Sequence, residues 1–144
     1  MMDFGTLNTR PKVVLFVGSN PSNSSETDVA FHGSTKSSQL LTQWCENITM
    51  MKMHINVLDK KTEGNRPLKS SEISANLPDL QSKLDMIKPD RVVALGKTAA
   101  RALTLLHIPH YEMPHPSGCN RKLNDPKYVK EKVKGLEHFC SNPS

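Results

Sequence analysis

Apolar residues recur along the chain in two patterns, short clusters and longer stretches with helical spacing. Four short stretches are predicted to be strands: residues 13–17, 53–58, 91–96 and 108–113. The first is a continuous apolar run, typical of a strand buried in a parallel sheet. Four longer stretches show the spacing of amphipathic helices: residues 38–50, 71–88, 97–107 and 126–140. The spacing over 38–50 places Trp44 and Cys45 in the core, and Pro78 indicates that the helix over 71–88 could be divided in two.

This alternation of strand and helix predicts an α/β fold, a three-layer α/β/α sandwich with a central four-stranded parallel sheet. We expect one domain over residues 1–144, with an N-terminal arm at 1–11 and a frayed tail at 141–144. Right-handed crossovers bring the carboxyl ends of the strands to one edge of the sheet, where ligands bind in such folds. Four loops follow the strands there: 18–22, 56–60, 96–98 and 114–121.

The last of these loops is the densest in chemical groups. Residues 114–121 read Pro-His-Pro-Ser-Gly-Cys-Asn-Arg and carry an imidazole, a hydroxyl, an amide and a guanidinium. The prolines and the glycine exclude a helix and constrain the backbone, and a rigid loop holds reacting groups in place. A surface turn with chance polar residues is the alternative interpretation.

Three features at or near the same edge add polar or aromatic groups. Residues 18–22 read Gly-Ser-Asn-Pro-Ser, a turn directly after the first strand. Asn56 is unusual in a strand, and it either caps the strand end or faces a site. Phe31 lies in a polar stretch, and it either packs onto the core or stacks on a ligand.

Composition limits the function classes. The chain is 36% hydrophobic and 23% charged, as in folded soluble proteins. We expect an intracellular protein that is not secreted, because no signal-peptide pattern and no bilayer-length apolar run is present. The three cysteines are too widely spaced for a zinc or iron–sulfur site. Gly96 and Lys97 do not form a phosphate loop, because Arg91 stands where that motif needs glycine. The net charge of +5 fits a polyanionic partner but is also ordinary.

The loops at 18–22 and 114–121, in this order and after these strands, resemble the two signature motifs of the uracil-DNA glycosylase superfamily. The resemblance covers about residues 12–140. It implies that Asn20 positions the attacking water and that His115 stabilises the departing uracil anion at O2. The asparagine–histidine pair is nearest to the single-strand-selective branch, and Asn20 is also shared with the mismatch-specific branch.

The same resemblance implies the binding residues. Gly18 and Ser19 contact the substrate, Phe31 stacks on the base, and Asn56 reads the uracil edge. The implied DNA-binding residues are Ser22, Ser117, Gly118, Cys119, Asn120 and Arg121. Three features depart from the family or limit its chemistry: Ser22 replaces a glycine, Cys119 is small for a wedge residue, and Asn20 cannot act as a general base.

The function implied is that of a monofunctional DNA glycosylase. It would hydrolyse the N-glycosidic bond of uracil, or of a related damaged or modified pyrimidine, after flipping the base out of DNA. We expect no cofactor or metal, DNA as the partner, no membrane association, and a monomer. Two alternatives stay open: a catalytically weak or inactive module that binds DNA, a base or a nucleotide, and a small Rossmann-like protein for another nucleotide ligand.

Overall fold

A computed structural model describes residues 12–19, 36–58, 68–116 and 121–141. Within these ranges the strands are β1 Val13–Gly18, β2 Met51–Asn56, β3 Arg91–Leu95 and β4 Tyr111–Met113. The helices are α1 Lys36–Trp44, α2 Ser70–Ile87, α3 Lys97–Leu105 and α4 Pro126–Ser141, and a 3-10 helix spans Arg121–Asn124. No described helix is long and apolar enough to cross a bilayer.

The described strands form one parallel sheet in the order β2-β1-β3-β4. Gly18 pairs with Asn56 at the end of β1 and β2, and Leu95 pairs with Met113 at the end of β3 and β4. The predicted four-stranded parallel sheet is therefore confirmed. Because every pairing is parallel, the carboxyl ends of all four strands lie at the same edge.

The side chains of β1 alternate between two hydrophobic cores, one on each face of the sheet. Leu15 and Val17 pack with residues of α2 and α3 on one face. Val14 and Phe16 pack on the other face with α1 and α4. All six residues of β1 are buried. The sheet thus lies between two helical layers, which confirms the predicted three-layer sandwich, and Trp44 and Cys45 belong to the second core.

Helix α1 ends earlier than predicted, at Trp44 instead of residue 50. A turn follows, in which the Ile48 amide donates to the Cys45 carbonyl at 2.9 Å. This turn keeps Ile48 buried, with 6% of its surface exposed. Helical spacing over 38–50 therefore identified the core residues correctly although the last of them lie outside the helix.

The other boundaries differ by a few residues. Strand β2 runs two residues earlier than predicted, and β4 begins at Tyr111 instead of residue 108. Helix α2 continues through Pro78, so the suggested division is wrong. Proline at 78 removes one donor and leaves the carbonyl of Ser74 without its helical partner. Both residues are exposed, so water can bind that carbonyl.

At the amino edge of the sheet, backbone and side-chain contacts tie β1, β3 and α4 together. The Val13 amide donates to the Asp90 carboxylate at 2.7 Å, and the Asp90 amide donates to the Val13 carbonyl at 2.8 Å. Arg91 donates from Nε to the Phe139 carbonyl at 3.0 Å, and its guanidinium lies 5.7 Å from the Phe139 ring centre. These contacts join β1, β3 and α4 at the edge opposite to the carboxyl ends of the strands.

Candidate active site

The carboxyl edge of the sheet brings together residues from all four strands. Asn56 ends β2, Gly18 ends β1, Gly96 follows β3, and His115 follows β4. Adjacent strands lie about 4.8 Å apart, so three strand spacings cover about 15 Å. Pairing continues past β1 and β2, because the Val57 amide donates to the Gly18 carbonyl at 2.9 Å. The ends of the four strands thus extend over about 15 Å along this edge.

Gly18 makes room for two polar side chains of β2. A Cβ atom at this position would lie 2.7 Å from Asn56 Oδ1 and 3.2 Å from His54 Nε2. Any larger residue at 18 would therefore have to displace the Asn56 amide or the His54 ring. His54 and Asn56 share one face of β2, since side chains alternate along a strand. Both are half-buried. Their polar groups converge on the space above Gly18.

Gly96 makes the corresponding room for His115. Its φ angle is +93°, which favours glycine, and a Cβ here would lie 3.2 Å from the His115 Cβ. The Gly96 amide also donates to the Met113 carbonyl at 2.9 Å, which fixes the end of β4 beside it. Pro114 and Pro116 are buried on either side of the half-buried His115. The imidazole is thus held on a short segment that is anchored before and after it.

These groups provide hydrogen bonds of several kinds. The described members of the edge are two imidazoles, the Asn56 amide, the Ser19 hydroxyl and backbone amides, and they include no carboxylate. An amide side chain offers both donors and an acceptor, and an imidazole can donate from one nitrogen. Such donors, fixed in advance, stabilise negative charge that develops on a ligand. In the described ranges, no three metal-ligating side chains converge.

The structure brings four of the predicted site residues to this edge: Gly18, Ser19, Asn56 and His115. Arg121 begins the 3-10 helix that follows the late loop. The remaining predicted site residues lie outside the described ranges: Asn20, Ser22, Phe31, Ser117, Gly118, Cys119 and Asn120.

Two residues of the edge were not singled out from the sequence. The sequence pattern places His54 in a predicted strand without a role. It places Gly96 in the loop 96–98 at the carboxyl edge, excludes it from a phosphate loop and gives it no other role. The signal for His54 was its position two residues before Asn56 in a predicted strand, which places both on one face. The signal for Gly96 was a glycine at the junction between a predicted strand and a predicted helix.

The family model described as the Uracil DNA glycosylase superfamily matches residues 4–137. The match covers most of the chain and includes the segments 18–22 and 114–121. No curated protein matches the chain.

Proposed function

Because this chain belongs to the uracil DNA glycosylase superfamily, we propose that it is a monofunctional DNA glycosylase. Its reaction would be hydrolysis of the N-glycosidic bond of uracil, or of a related damaged or modified pyrimidine, in DNA. The observation that carries the proposal is the position of His115, which stands on an anchored segment beside Gly96 at the edge that also holds Gly18 and Asn56.

The chemistry of the reaction explains the role of His115. Breaking an N-glycosidic bond leaves positive charge on the sugar and negative charge on the departing base. A donor that already points to the departing base lowers the barrier, because little reorganisation is needed as the charge develops. His115 would donate to O2 of the base. The buried prolines at 114 and 116 support this role, since they limit the movement of the imidazole.

Asn20 would hold the attacking water. It follows Ser19 directly in the sequence, in the loop that resembles the first motif of the superfamily. An asparagine amide can orient a water molecule but cannot remove its proton at neutral pH. We therefore expect slow hydrolysis, driven by the stability of the leaving base more than by activation of water.

Base recognition would use the Gly18 side of the edge. The Asn56 amide can donate to one group of a pyrimidine edge and accept from its neighbour. Phe31 would stack on the base. The base must leave the duplex before it can enter the site. Phosphate contacts would come from Ser22, Ser117, Arg121 and loop backbone amides such as that of Gly118. The segment of Cys119, Asn120 and Arg121 would lie where the superfamily inserts a wedge into the duplex.

The test is release of uracil from oligonucleotides, single-stranded and double-stranded, followed by alkaline cleavage at abasic sites. Removal of one preorganised donor typically costs about 10²- to 10³-fold in rate, so His115→Ala should slow single-turnover release by that factor. Asn20→Ala should also slow it. His138→Ala is the matched control, because His138 is an exposed histidine near the end of α4.

Two outcomes would contradict the proposal. Release that is as fast in His115→Ala as in the parent chain would refute the assigned mechanism. If no abasic site forms on any uracil-containing strand or on a panel of modified pyrimidines, the chain is not a glycosylase for these bases.

A second candidate function is binding without excision. Ser22 and Cys119 depart from the superfamily pattern, and Asn20 cannot act as a general base. These features favour a protein that holds DNA, a base or a nucleotide without cleaving the glycosidic bond. Tight binding of DNA with no abasic product, unchanged by His115→Ala, would favour this function.

A further inference from the structure

We propose that the exposed face of α4 binds the phosphate backbone of a single DNA strand that extends from the candidate site. This face carries Lys127, Lys130 and Lys134, which we call the lysine stripe. The inference rests on the proposed function, because it takes DNA as the partner. It concerns a helix that lies outside both of the loops that resemble the superfamily motifs.

The lysine stripe follows from the helical period of α4. Residues 127, 130 and 134 are three and four positions apart, so they lie on one side of the helix. All three are exposed, whereas Val133 and Leu136 on the other side pack into the core that contains Phe16. Within the described ranges, none of the three ammonium groups forms an ion pair. The stripe extends over about 10 Å, since a helix rises 1.5 Å per residue.

The positive charge of the chain is concentrated in and just before this helix. Residues 121–141 contain six lysines or arginines and three carboxylates, which give a net charge of +3 out of +5 for the whole chain. On the other face of the sheet, α2 carries three carboxylates and one lysine, and α3 carries Lys97 and Arg101. The helices of that layer are therefore neutral in sum. A polyanion is attracted to the α4 side of the molecule.

Helix α4 leads away from the carboxyl edge of the sheet. It follows the late loop and the 3-10 helix, and it runs antiparallel to β4. The Lys132 carbonyl accepts from the hydroxyl of Tyr111, the first residue of β4, at 3.0 Å. Seven residues later, the Phe139 carbonyl accepts from Nε of Arg91, which begins β3. The lysine stripe therefore begins near the carboxyl edge and continues along the side of the sandwich.

Three carboxylates lie in the same segment, and two of them have other contacts. Asp125 Oδ1 accepts from the backbone amide of Lys127 at 3.1 Å, which caps the start of α4. Glu137 Oε2 accepts from Asn47 Nδ2 at 3.1 Å. Glu131 is exposed and lies beside the lysine stripe on the helix surface. Its charge opposes an anion on the stripe, so its removal should strengthen binding.

The direction of the stripe favours a single strand over a duplex. The strand ends extend along the carboxyl edge, whereas the stripe leads away from that edge. A nucleic acid must therefore turn to contact both. A duplex resists such a turn, because its persistence length is about 150 base pairs. A single strand bends easily, and a positively charged surface that follows its backbone binds it without regard to sequence.

The experiment measures binding of single-stranded oligothymidylate of about 30 nucleotides, a length that exceeds the stripe. Dissociation constants are determined between 50 and 200 mM salt, because phosphate contacts make affinity depend on salt. The test variant replaces all three residues of the lysine stripe by glutamine. The matched control removes three positive charges from the α2 and α3 layer: Lys83→Gln, Lys88→Gln and Arg101→Gln. Far-UV circular dichroism and the thermal midpoint show whether each variant is folded.

The expected result is a weaker salt dependence in the stripe variant. Each phosphate contact to a single strand contributes about 0.7 to the slope of log affinity against log salt, so three contacts contribute about 2. Between 50 and 200 mM salt, the affinity of the parent chain should therefore fall about twentyfold more than that of the stripe variant. The control variant should keep the slope of the parent chain. An unchanged slope in the folded stripe variant, or an equal loss in the control, would overturn the inference.

Replacement of Glu131 gives a second test, which does not depend on the folding of the triple variant. Glu131→Gln should strengthen oligothymidylate binding at 50 mM salt by about 1.5- to 5-fold, the range for one exposed charge interaction. Asp85→Asn is the matched control, since Asp85 is an exposed carboxylate of α2. It should bind as the parent chain does. Equal binding by Glu131→Gln and Asp85→Asn would contradict the assigned surface.

Two further comparisons define the partner and separate this inference from the proposed function. If the stripe variant loses as much of the slope on a blunt duplex of the same length, the assignment to a single strand is overturned. The oligothymidylate contains no uracil, so binding is measured apart from uracil release. A parent chain that binds through the stripe but releases no uracil would support the inference and refute excision. Release of uracil by a parent chain whose binding is unaffected in the stripe variant would refute the inference alone.

Discussion

Replacement of Gly135 by alanine should destabilise the protein, although alanine is the better helix former. Gly135 lies in α4 against the ring of Tyr111 in β4. An alanine Cβ would lie 2.9 Å from Tyr111 Cζ and would contact the hydroxyl oxygen even more closely. The ring cannot move away freely, because its hydroxyl donates to the Lys132 carbonyl at 3.0 Å and its face stacks on Phe139 at a centroid distance of 5.6 Å.

The magnitude follows from three opposing effects. Alanine gains about 1 kcal/mol over glycine in a helix interior. Loss of the Tyr111 hydroxyl bond costs about 1 kcal/mol, and overpacking costs about 1–3 kcal/mol. The balance is a loss of about 1–3 kcal/mol in the free energy of unfolding. For a chain of this size each kcal/mol lowers the thermal midpoint by roughly 2–4 °C.

The assay is urea denaturation of a double-mutant cycle with Tyr111→Phe. Phenylalanine removes the oxygen that the alanine Cβ would touch, so Gly135→Ala should cost at least about 1 kcal/mol less in that background. The rate of the proposed base release should also fall as stability falls, because β4 leads directly to the segment that carries His115. If Gly135→Ala stabilises the parent chain, or costs the same in both backgrounds, the close fit between α4 and β4 does not carry the energy assigned to it.

Three further predictions concern Asp90, Gly96 and Cys45. Asp90→Ala should cost about 1–3 kcal/mol in urea denaturation, because the Val13 amide loses its acceptor, and Asp90→Asn should cost less because it keeps an oxygen there. Gly96→Ala should cost about 1–3 kcal/mol through its positive φ and should slow uracil release by displacing His115, which single-turnover rates would detect. Burial raises the pKa of Cys45 from 9.0 to about 12, so its thiol contributes stability that is complete below pH 9 and is lost as the pH rises toward 12. Denaturation between pH 8 and 11 should show a steeper loss of stability in the parent chain than in Cys45→Ala; equal slopes would contradict this.

The layers of the fold were predictable from the sequence, because a strand that is buried on both faces is continuously apolar. Residues 13–17 are continuously apolar since β1 contributes to two cores, and no other element type explains so short a run. Boundaries were less predictable. The spacing to Ile48 looks helical whether the chain continues as a helix or as a turn, because both bury the same side chains. The continuity of α2 at Pro78 depended on the exposure of the freed carbonyl, which spacing does not reveal.

The candidate site was predictable to the extent that topology determines it. Parallel strands place Gly18, Asn56 and His115 at one edge whatever their side-chain conformations. The contacts of His54 and Gly96 depend on more local facts. One is the direction in which a ring leans along its strand, and the other is a backbone angle with positive φ. Neither follows from residue type and spacing alone.

The place of β1 in the sheet also affects how the protein is made. The strand that both cores depend on is synthesised first, but the hydrogen bonds that join it to Asp90 span 77 residues. At about 5–20 residues per second, a ribosome needs roughly 4–15 s to add that length. During this time the apolar run of β1 leaves the ribosome with an open edge and no second neighbour. Until β3 is added, the exposed apolar run and the open strand edge favour aggregation in competition with folding.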